Sequence, residues 1–344
     1  VVPLDQNNRV LVEQGLRRIR AGRSRPGINA LLRVANRNAR NLVSADLGFA
    51  IGPRLNAAGR LDDMSLGIRC LLCEDDYQAN EMAKQMDDLN RDRKSIEGSM
   101  QREALKSLQS IDVDKSNMPY GLCLYNANWH QGVIGILASR IKDKYHRPVI
   151  VFADADEQGI IKGSARSIQG LHIRDALDAV AAKHPSILSK FGGHAMAAGM
   201  SMDAQHYETF CDAFDQEVRR QLREDDLQAV LYSDGSLSTG DMVLELAKEL
   251  RIAGPWGQHF GEPLFDGVFL IIQQRIVGEK HLRLVLSEEK RGGSIFDAIA
   301  FNVDIAQWPN TEVEQVKIVY RLDVNEFRGN ESVQLLVEYL EVIH

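Results

Sequence analysis

Residues 121–153 read "GLCLYNANWHQGVIGILASRIKDKYHRPVIVFA", and their pattern decides the fold class. Two strand-like apolar runs, at 121–127 and 148–153, flank a helix-like run at 133–145. The alternation continues in the segments that follow, which are "IIKGSARS" at 160–167, "IRDALDAVAAKH" at 173–184, "AMAAGMSM" at 195–202 and "HYETFCDAFDQEVRRQL" at 206–222. Alternation of this kind predicts an α/β domain whose helices cover a sheet.

Different patterns flank this domain on both sides. Residues 75–110 contain no proline and one glycine, and their apolar spacing predicts one long amphipathic helix. The sequence before it predicts short helices, broken by "RPG" at 25–27 and "GPR" at 52–54. After a connector with a helix around residues 242–250, strand-like runs with glycine or polar breaks predict a small five-stranded barrel of the oligonucleotide-binding type. We therefore expect domain boundaries that give segments 1–72, 73–112, 113–226 and 227–344.

Composition is that of an ordinary globular protein, with 44% hydrophobic and 26% charged residues in 344. Because no apolar run could span a membrane and no secretory signal is recognisable, we expect a cytoplasmic protein without a membrane partner. The four cysteines indicate no disulfide framework, and the CxxC of Cys70 and Cys73 lacks the second pair that a zinc site needs. The chain starts without methionine at "VVPLD", which resembles the end of a strand. We expect an N-terminal part to be missing.

Charge is distributed unevenly along the chain. Residues 9–40 contain nine arginines, no lysine and one acid, Glu13, giving +8, whereas the whole chain carries −7 and the remainder therefore −15. A basic segment on an acidic body favours a local anionic partner. A pair of solvated helices would show the same composition, so both interpretations stay open.

The segment "GPRLNAAGRLDD" at 52–63 is the first of four candidate binding segments. Arg54 and Arg60 bracket Asn56 and a turn of small residues, where backbone could approach a ligand while two guanidiniums close over it. The structural alternative is a helix start shaped by Pro53 or Asn56.

Two further segments combine cations with small residues. In "NWHQGVIGILASR" at 128–140 we expect a strand to end at Trp129 and His130 and a helix to begin near residue 132, where amides and His130 could meet phosphate. In "KGSARS", Lys162, Ser164 and Arg166 would share one face of a strand and could bind phosphate. A solvated strand edge would look similar.

The fourth segment is "FGGHAMAAGMS" at 191–201. Gly192 and Gly193 permit backbone conformations closed to other residues, and the alanines leave room beside His194 for a ligand. A buried structural histidine is the alternative. No carboxylate cluster shows convincing metal-site spacing, so no metal ligands are predicted in this chain.

Six motifs together resemble the RecJ family of single-stranded-DNA-specific exonucleases, which belongs to the DHH phosphoesterase superfamily. They follow one another in that family's order: "VVPLDQNNR", "GPRLNAAGRLDD", "WHQGVIGILASRIKDKYHRPV", "KGSARSIQGLHIRDAL", "FGGHAMAAGMS" and "GPWGQHFGEPLFDG". The resemblance covers essentially the whole chain. It implies the tail of a DHH domain at 1–72, a connecting helix at 73–112, a DHH-associated α/β domain at 113–226, and a connector with an oligonucleotide-binding barrel at 227–344.

For the complete protein the resemblance implies 5′-to-3′ hydrolysis of single-stranded DNA in repair and recombination, using Mn²⁺ or Mg²⁺. The family's Asp-His-His motif is absent from these 344 residues, so we expect this chain alone to bind no metal and to be inactive.

The resemblance also assigns roles to the candidate residues. It places His194, with Gly192 and Gly193, against the metal site and the scissile phosphate, and it adds His130 to that group. It places Arg54, Asn56 and Arg60 along the cleft. It assigns Lys162, Ser164 and Arg166 to the phosphates near the 5′ end.

The resemblance further implies a monomer that works with single-stranded-DNA-binding protein and recombination helicases. Two other functions stay open. Related DHH enzymes cleave short oligonucleotides, cyclic dinucleotides or pyrophosphate, and an alanyl-tRNA synthetase uses a DHH-associated domain purely for binding RNA. The predicted barrel argues against both.

Overall fold

The computed structural model describes residues 3–111, 118–289, 292–327 and 329–343. Its helices are α1 (Gln6–Arg20), α2 (Pro26–Val34), α3 (Ser44–Asp46), α4 (Gly52–Leu61), α5 (Ser65–Leu72), α6 (Asp76–Ile111), α7 (Ile134–Tyr145), α8 (Ile173–Lys183), α9 (Tyr207–Gln221) and α10 (Leu244–Ala253). Its strands are β1 (Leu122–Tyr125), β2 (Val149–Asp154), β3 (Ile160–Arg166), β4 (Lys190–Gly193), β5 (Ala197–Asp203), β6 (Phe265–Val277), β7 (His281–Ser287), β8 (Ile295–Ala300), β9 (Gln315–Phe327) and β10 (Asn330–Ile343). The expected strand end at residues 1–2 and the expected boundary at 112–113 lie outside the described residues.

The chain divides into two compact units. One comprises Val1–Ser24, Asn36–Ile51 and Leu231–His344, and the other comprises Arg25–Ala35 and Gly52–Val230.

The first unit contains a closed barrel of five strands in the order β10-β8-β7-β6-β9. Alternate residues of β7 are buried because successive side chains of a strand point to opposite faces. Inside the barrel, the rings of Phe269 and Tyr320 lie 6.0 Å apart in an edge-to-face arrangement that packs apolar surface away from water. The predicted five-stranded barrel is confirmed.

The second unit contains a five-stranded sheet in the order β1-β2-β3-β5-β4. Strands β1 and β2 are parallel and are joined through α7, whereas β3, β5 and β4 pair in antiparallel fashion. The predicted α/β domain is confirmed, with helices packed on its sheet.

The two faces of this sheet are covered differently. On one face, α7 packs on Val149, Val151 and Ala153 of β2, all fully buried. On the other, α8 and α9 bury a continuous apolar layer that includes Phe152 and Met200. The face of β3, β5 and β4 that continues the α7 side is partly exposed, and this accessible strip positions the candidate site.

Several local predictions are confirmed or corrected. The long helix is confirmed as α6, Asp76–Ile111. The predicted break at 52–54 is wrong, since a π-helical turn at Leu47–Ile51 runs directly into α4. Pro53 therefore lies inside a continuous helical stretch that begins at Ser44. The alternative of a helix start shaped by Pro53 or Asn56 is not observed either.

The strand–helix junction at 128–140 also differs from the prediction. Strand β1 ends at Tyr125 rather than at Trp129, and α7 begins at Ile134. In addition, β4 was missed, because its two glycines resemble a loop in the sequence.

Candidate nucleic-acid interface

Strand β3 places its polar side chains on one face. Lys162, Ser164 and Arg166 are partly exposed and alternate with buried residues, as the sequence predicted. The buried position between the first two is Gly163, where an added Cβ would lie 2.6 Å from the ring of Phe152. Close packing of the sheet on its apolar side therefore requires glycine here and fixes the polar face on the other side.

The guanidinium of Arg166 folds back along its own strand. Its Nη1 donates to the Ser164 hydroxyl at 3.1 Å and to the carbonyl oxygen of Ala165 at 2.7 Å. A Cβ on Gly135, in the first turn of α7, would lie 2.9 Å from both Arg166 Nη2 and Ser164 Oγ. The helix start thus lies directly against this pair because residue 135 has no side chain.

The side chain of Arg60, on α4, lies at the same start of α7. Its Nη1 donates to the carbonyl oxygen of Gly132 at 3.1 Å. Burial lowers the pKa of Arg166, and the positive charge of Arg60 lowers it further. Burial also lowers the pKa of Arg60, with the charge of Arg93 adding to the effect and that of Glu97 opposing it. Two half-buried guanidiniums that repel each other form a site that an anion would stabilise.

These side chains line a cleft of about 450 Å³, which we call the cationic cleft. It brings together Arg60, Lys162, Ser164 and Arg166 from the predicted set. Its other lining residues were not predicted, and they are Gln131, Gly132, Ile134, Gly135, Gly163, Lys190, Phe191, Gly199, Met200 and Ser201.

Arg54, Asn56 and His130 do not line this cleft. Arg54 donates from Nε and Nη2 to Asp87 at 2.8 Å in each case, and its side chain is 14% exposed. Asn56 is exposed on α4. His130 is exposed, and its Nδ1 accepts a hydrogen bond from the Gly132 amide at 3.0 Å.

The "FGGH" segment forms the end of a hairpin between β4 and β5. The His194 amide donates to the carbonyl oxygen of Ala197 at 2.8 Å, and its side chain is exposed outside the residues that line the cleft. Gly193 has φ +154°, and a Cβ there would lie 2.4 Å from the Ala197 oxygen. At Gly192 an added Cβ would meet nothing within 4 Å. The two glycines are therefore not equivalent, since only Gly193 is required by the hairpin.

The arginine-rich segment does not contribute to the cleft, because none of its arginines is among the lining residues. Several of them have partners within their own unit. Arg37 pairs with Asp46 at 2.9 Å, and the guanidinium of Arg9 lies 3.6 Å from the centre of the Phe260 ring. This arrangement favours a structural use for part of the segment.

Gln131, Lys190, Gly199 and Ser201 were missed by the sequence analysis. Lys190 and Ser201 pair across β4 and β5, and Ser201 pairs with Lys162 across β5 and β3. The sequence held one usable signal, because alternation along "AMAAGMSM" already places Ser201 and Gly199 on the same face of a strand.

The described part of the chain contains no cluster of side chains suited to binding a divalent metal ion. No group of three or more histidine, cysteine, aspartate or glutamate side chains there could hold a metal ion. The described residues also contain no helix long and apolar enough to cross a membrane.

Comparison with known proteins identifies the family. A family model described as DHHA1 domain matches residues 119–220, and one described as RecJ OB domain matches residues 233–339. Over 340 residues the chain is 55% identical to the single-stranded-DNA-specific exonuclease RecJ of Dickeya dadantii (strain 3937), covering 99% of this chain and 59% of that protein. The chain thus spans about three fifths of the length of this relative.

Solved structures agree with the sequence match. Crystal structures of RecJ from Thermus thermophilus in complex with Mg²⁺ and with Mn²⁺ each superpose with a TM-score of 0.79 at 27% identity. The match covers 100% of this chain and 50% and 48% of those chains, respectively. With both domains matched and the identity extending over nearly all of its residues, the chain belongs to the RecJ family.

Proposed function

We propose that this chain supplies the strand-holding part of a single-stranded-DNA-specific 5′-to-3′ exonuclease. The observation that carries the proposal is the pair Arg60 and Arg166, two half-buried guanidiniums beside the Ser164 hydroxyl. A terminal phosphate offers two negative charges and several acceptor oxygens, which match this set of donors. We assign the 5′ phosphate to Arg60, Ser164 and Arg166.

The rest of the chain fits this function in the same proposal. A barrel of the oligonucleotide-binding type guides a single strand by stacking and by contacts to the backbone, which a rigid duplex cannot follow. The division at residues 1–72, 73–112, 113–226 and 227–344 is kept as the proposed domain organisation. Hydrolysis in the longer relatives is proposed to use Mn²⁺ or Mg²⁺, the ions named for the Thermus thermophilus structures.

The remaining predicted roles are kept as proposals. His194, with Gly192, Gly193 and His130, is proposed to contact the scissile phosphate, while Asn56 is proposed to lie along the path of the strand. Arg54 is proposed to support this path through its ion pair with Asp87 rather than through a contact with DNA. The proposed protein partners, single-stranded-DNA-binding protein and recombination helicases, follow from the family alone.

The second candidate is a phosphodiesterase for short oligonucleotides or cyclic dinucleotides. The cleft volume of about 450 Å³ favours it, since a mononucleotide or dinucleotide would fill such a space. The RecJ OB domain match at residues 233–339 favours the longer strand. Affinity that rises with oligonucleotide length well beyond a dinucleotide supports the exonuclease, whereas affinity independent of length supports the second candidate.

Binding of a 5′-phosphorylated oligothymidylate tests the proposal. The strand carries a fluorophore at its 3′ end, and anisotropy is compared with that of the same strand with a 5′ hydroxyl. Arg166→Ala should weaken binding of the phosphorylated strand by about tenfold, because charge-assisted hydrogen bonds are worth roughly 1.5–3 kcal/mol. It should also reduce the slope of log affinity against log salt concentration by about one, which corresponds to the loss of one phosphate contact.

Lys84→Ala is the matched control. Lys84 lies on α6, is exposed and pairs with Glu81 of the same helix at 2.8 Å, so its removal changes the net charge equally. Its loss should change affinity less than about twofold. Unchanged affinity and salt dependence in Arg166→Ala would refute the phosphate assignment.

A further inference from the structure

Strand β1 and helix α9 approach each other closely on the face of the sheet opposite α7. Strand β1 lies at the edge of its sheet. Leu122 and Leu124 pack in the layer under α7, so Cys123 between them faces α9. An added Cβ at Gly121, just before the strand, would lie 2.8 Å from the ring of Phe214. Helix α9 therefore lies directly against the strand because residue 121 has no side chain.

A carboxylate on α9 fixes this contact. Asp215 accepts hydrogen bonds from the backbone amides of Tyr120 at 2.6 Å and of Gly121 at 3.0 Å. Cys211 lies about one helical turn before Asp215, and Cys123 lies two residues after Gly121 on the same face of the strand. The two free thiols therefore meet between strand and helix, where the Cys123 thiol donates a hydrogen bond to the Cys211 sulfur.

A cavity of about 160 Å³ opens beside the two sulfurs. Cys123 and Cys211 both line it, and both residues are partly exposed. Its other lining residues are mostly apolar and include Leu108, Met118 and Pro119. Because one water molecule takes up about 30 Å³ in the liquid, the cavity suits a reagent of the size of hydrogen peroxide rather than a tripeptide such as glutathione.

The two thiols differ in acidity. The hydrogen bond from Cys123 lowers the pKa of Cys211 below its ordinary value, against the effect of burial, and a hydrogen bond from the Tyr207 hydroxyl lowers it further. The charges of Asp212 and Glu208 oppose this lowering of the pKa. Burial raises the pKa of Cys123 well above its ordinary value, so this thiol keeps its proton. Cys211 is therefore the nucleophile of the pair.

We propose that Cys211 and Cys123 form a peroxide-oxidised thiol pair, which closes to a disulfide between α9 and β1. The Cys211 thiolate attacks one oxygen of hydrogen peroxide and becomes a sulfenic acid. The O–O bond breaks, and the other oxygen leaves as hydroxide, which takes up the proton that Cys211 released on ionising. The Cys123 sulfur then attacks the Cys211 sulfur, the S–O bond breaks, and the departing hydroxide leaves as water with the Cys123 proton. Two thiols are oxidised to one disulfide, and one peroxide is reduced to two waters.

The other two cysteines provide an internal control. The Cys70 thiol donates to the carbonyl oxygen of Ala79 at 3.8 Å, and the Cys73 thiol donates to that of Asp75 at 3.2 Å. Each thiol therefore has its own backbone acceptor instead of the other sulfur. Burial also raises the pKa of Cys70, which lowers its reactivity.

Oxidation of the reduced 344-residue chain with hydrogen peroxide tests the pair, followed by thiol titration and peptide mapping. The product should have lost two of its four thiols and should contain a cross-link between Cys123 and Cys211 that dithiothreitol reverses. Cys123→Ser should stop at a sulfenic acid on Cys211, which dimedone traps. Cys211→Ser should slow oxidation of Cys123 by about tenfold, since Cys123 stays protonated. The double variant Cys70→Ser/Cys73→Ser should form the cross-link at the unmodified rate.

A cross-link between Cys70 and Cys73 instead, or oxidation of all four thiols at similar rates without a cross-link, would overturn the pair. An unchanged rate of Cys123 oxidation in Cys211→Ser would overturn it as well. Peptide mapping of the unmodified chain requires no substitution, so it decides the question even where a serine variant fails to fold. The pair lies on the α9 face of the sheet, so this chemistry is independent of strand binding in the cationic cleft.

Discussion

Removal of Arg54 tests whether a side chain assigned to the DNA path by sequence is instead part of the fold. Its Nε and Nη2 atoms each donate to Asp87 Oδ1 at 2.8 Å, and Nη2 also donates to the Val34 oxygen at 3.3 Å. The side chains of Arg54 and Asp87 are 14% and 21% exposed, respectively. These contacts join α4 to α2 and α6, so we expect Arg54→Ala to destabilise the second unit.

The size of this destabilisation depends on how deeply the ion pair is buried. Removing one partner of a fully buried ion pair costs roughly 3–5 kcal/mol, because the remaining charge loses its compensation. Both partners here keep some hydration, so we expect Arg54→Ala to lower the free energy of unfolding by about 2–3 kcal/mol. Asp87→Asn keeps an acceptor oxygen and loses the charge, so about 1 kcal/mol is expected.

Urea denaturation, with the double variant included, measures these terms and the coupling between the two side chains. Affinity for 5′-phosphorylated oligothymidylate, measured well below the urea transition, should change less than about twofold in Arg54→Ala. If stability were unchanged within about 0.5 kcal/mol while affinity fell tenfold, the structural account of Arg54 would be wrong. The sequence-based placement on the DNA path would then be supported.

Two further outcomes are expected. Glu217 is 1% exposed, and hydrogen bonds from Arg220, Lys183 and Gln221 lower its pKa from 4.5 to about 2. Because the folded pKa is depressed, its stabilisation is complete above pH 4.5 and is lost as the pH falls towards 2. Between pH 7 and pH 3 the unmodified chain should therefore lose about 1–2 kcal/mol more than Glu217→Gln in urea titrations. Equal losses would contradict the shifted pKa. Separately, the purified 344-residue chain with Mn²⁺ should release no nucleotides from labelled single-stranded DNA, since it lacks the Asp-His-His motif. Release that persists in His194→Ala and is not due to contaminants would contradict this expectation.

Local patterns sufficed for most secondary structure. The helix Asp76–Ile111 could be predicted because it contains no proline and keeps its apolar positions at helical spacing. Strand β3 could be predicted because Lys162, Ser164 and Arg166 alternate with small or apolar residues. In both segments the spacing of apolar residues in the sequence matches the period of the helix or strand that forms.

Partners distant in sequence could not be predicted in the same way. Arg54 pairs with Asp87, which lies 33 positions away on another helix, and no local pattern indicates how α4 packs on α6. An arginine flanked by small residues suits a ligand and a buried carboxylate equally well. Tertiary packing supplies the carboxylate, which the sequence around Arg54 could not indicate.

Lys190 was missed for a related reason. Its strand was not predicted, and only the register of β4 on β5 places it beside Ser201 and Lys162. Had the strand been recognised, the alternation of "KFGG" would have placed Lys190 and Gly192 on one face. Recognition of a short glycine-rich strand depends on its neighbour rather than on its own propensity.

The "GGH" motif contains three residues in different structural settings, which the sequence alone does not distinguish. A side chain cannot be accommodated at Gly193, because its Cβ would lie 2.4 Å from a backbone oxygen. At Gly192 a side chain would extend into open space, so packing does not require glycine at this position. His194 lies beyond both, at the hairpin end. We therefore expect Gly193→Ala to lower the free energy of unfolding and Gly192→Ala to leave it nearly unchanged, which urea denaturation of the two variants would measure. Equal losses in the two variants would contradict this difference.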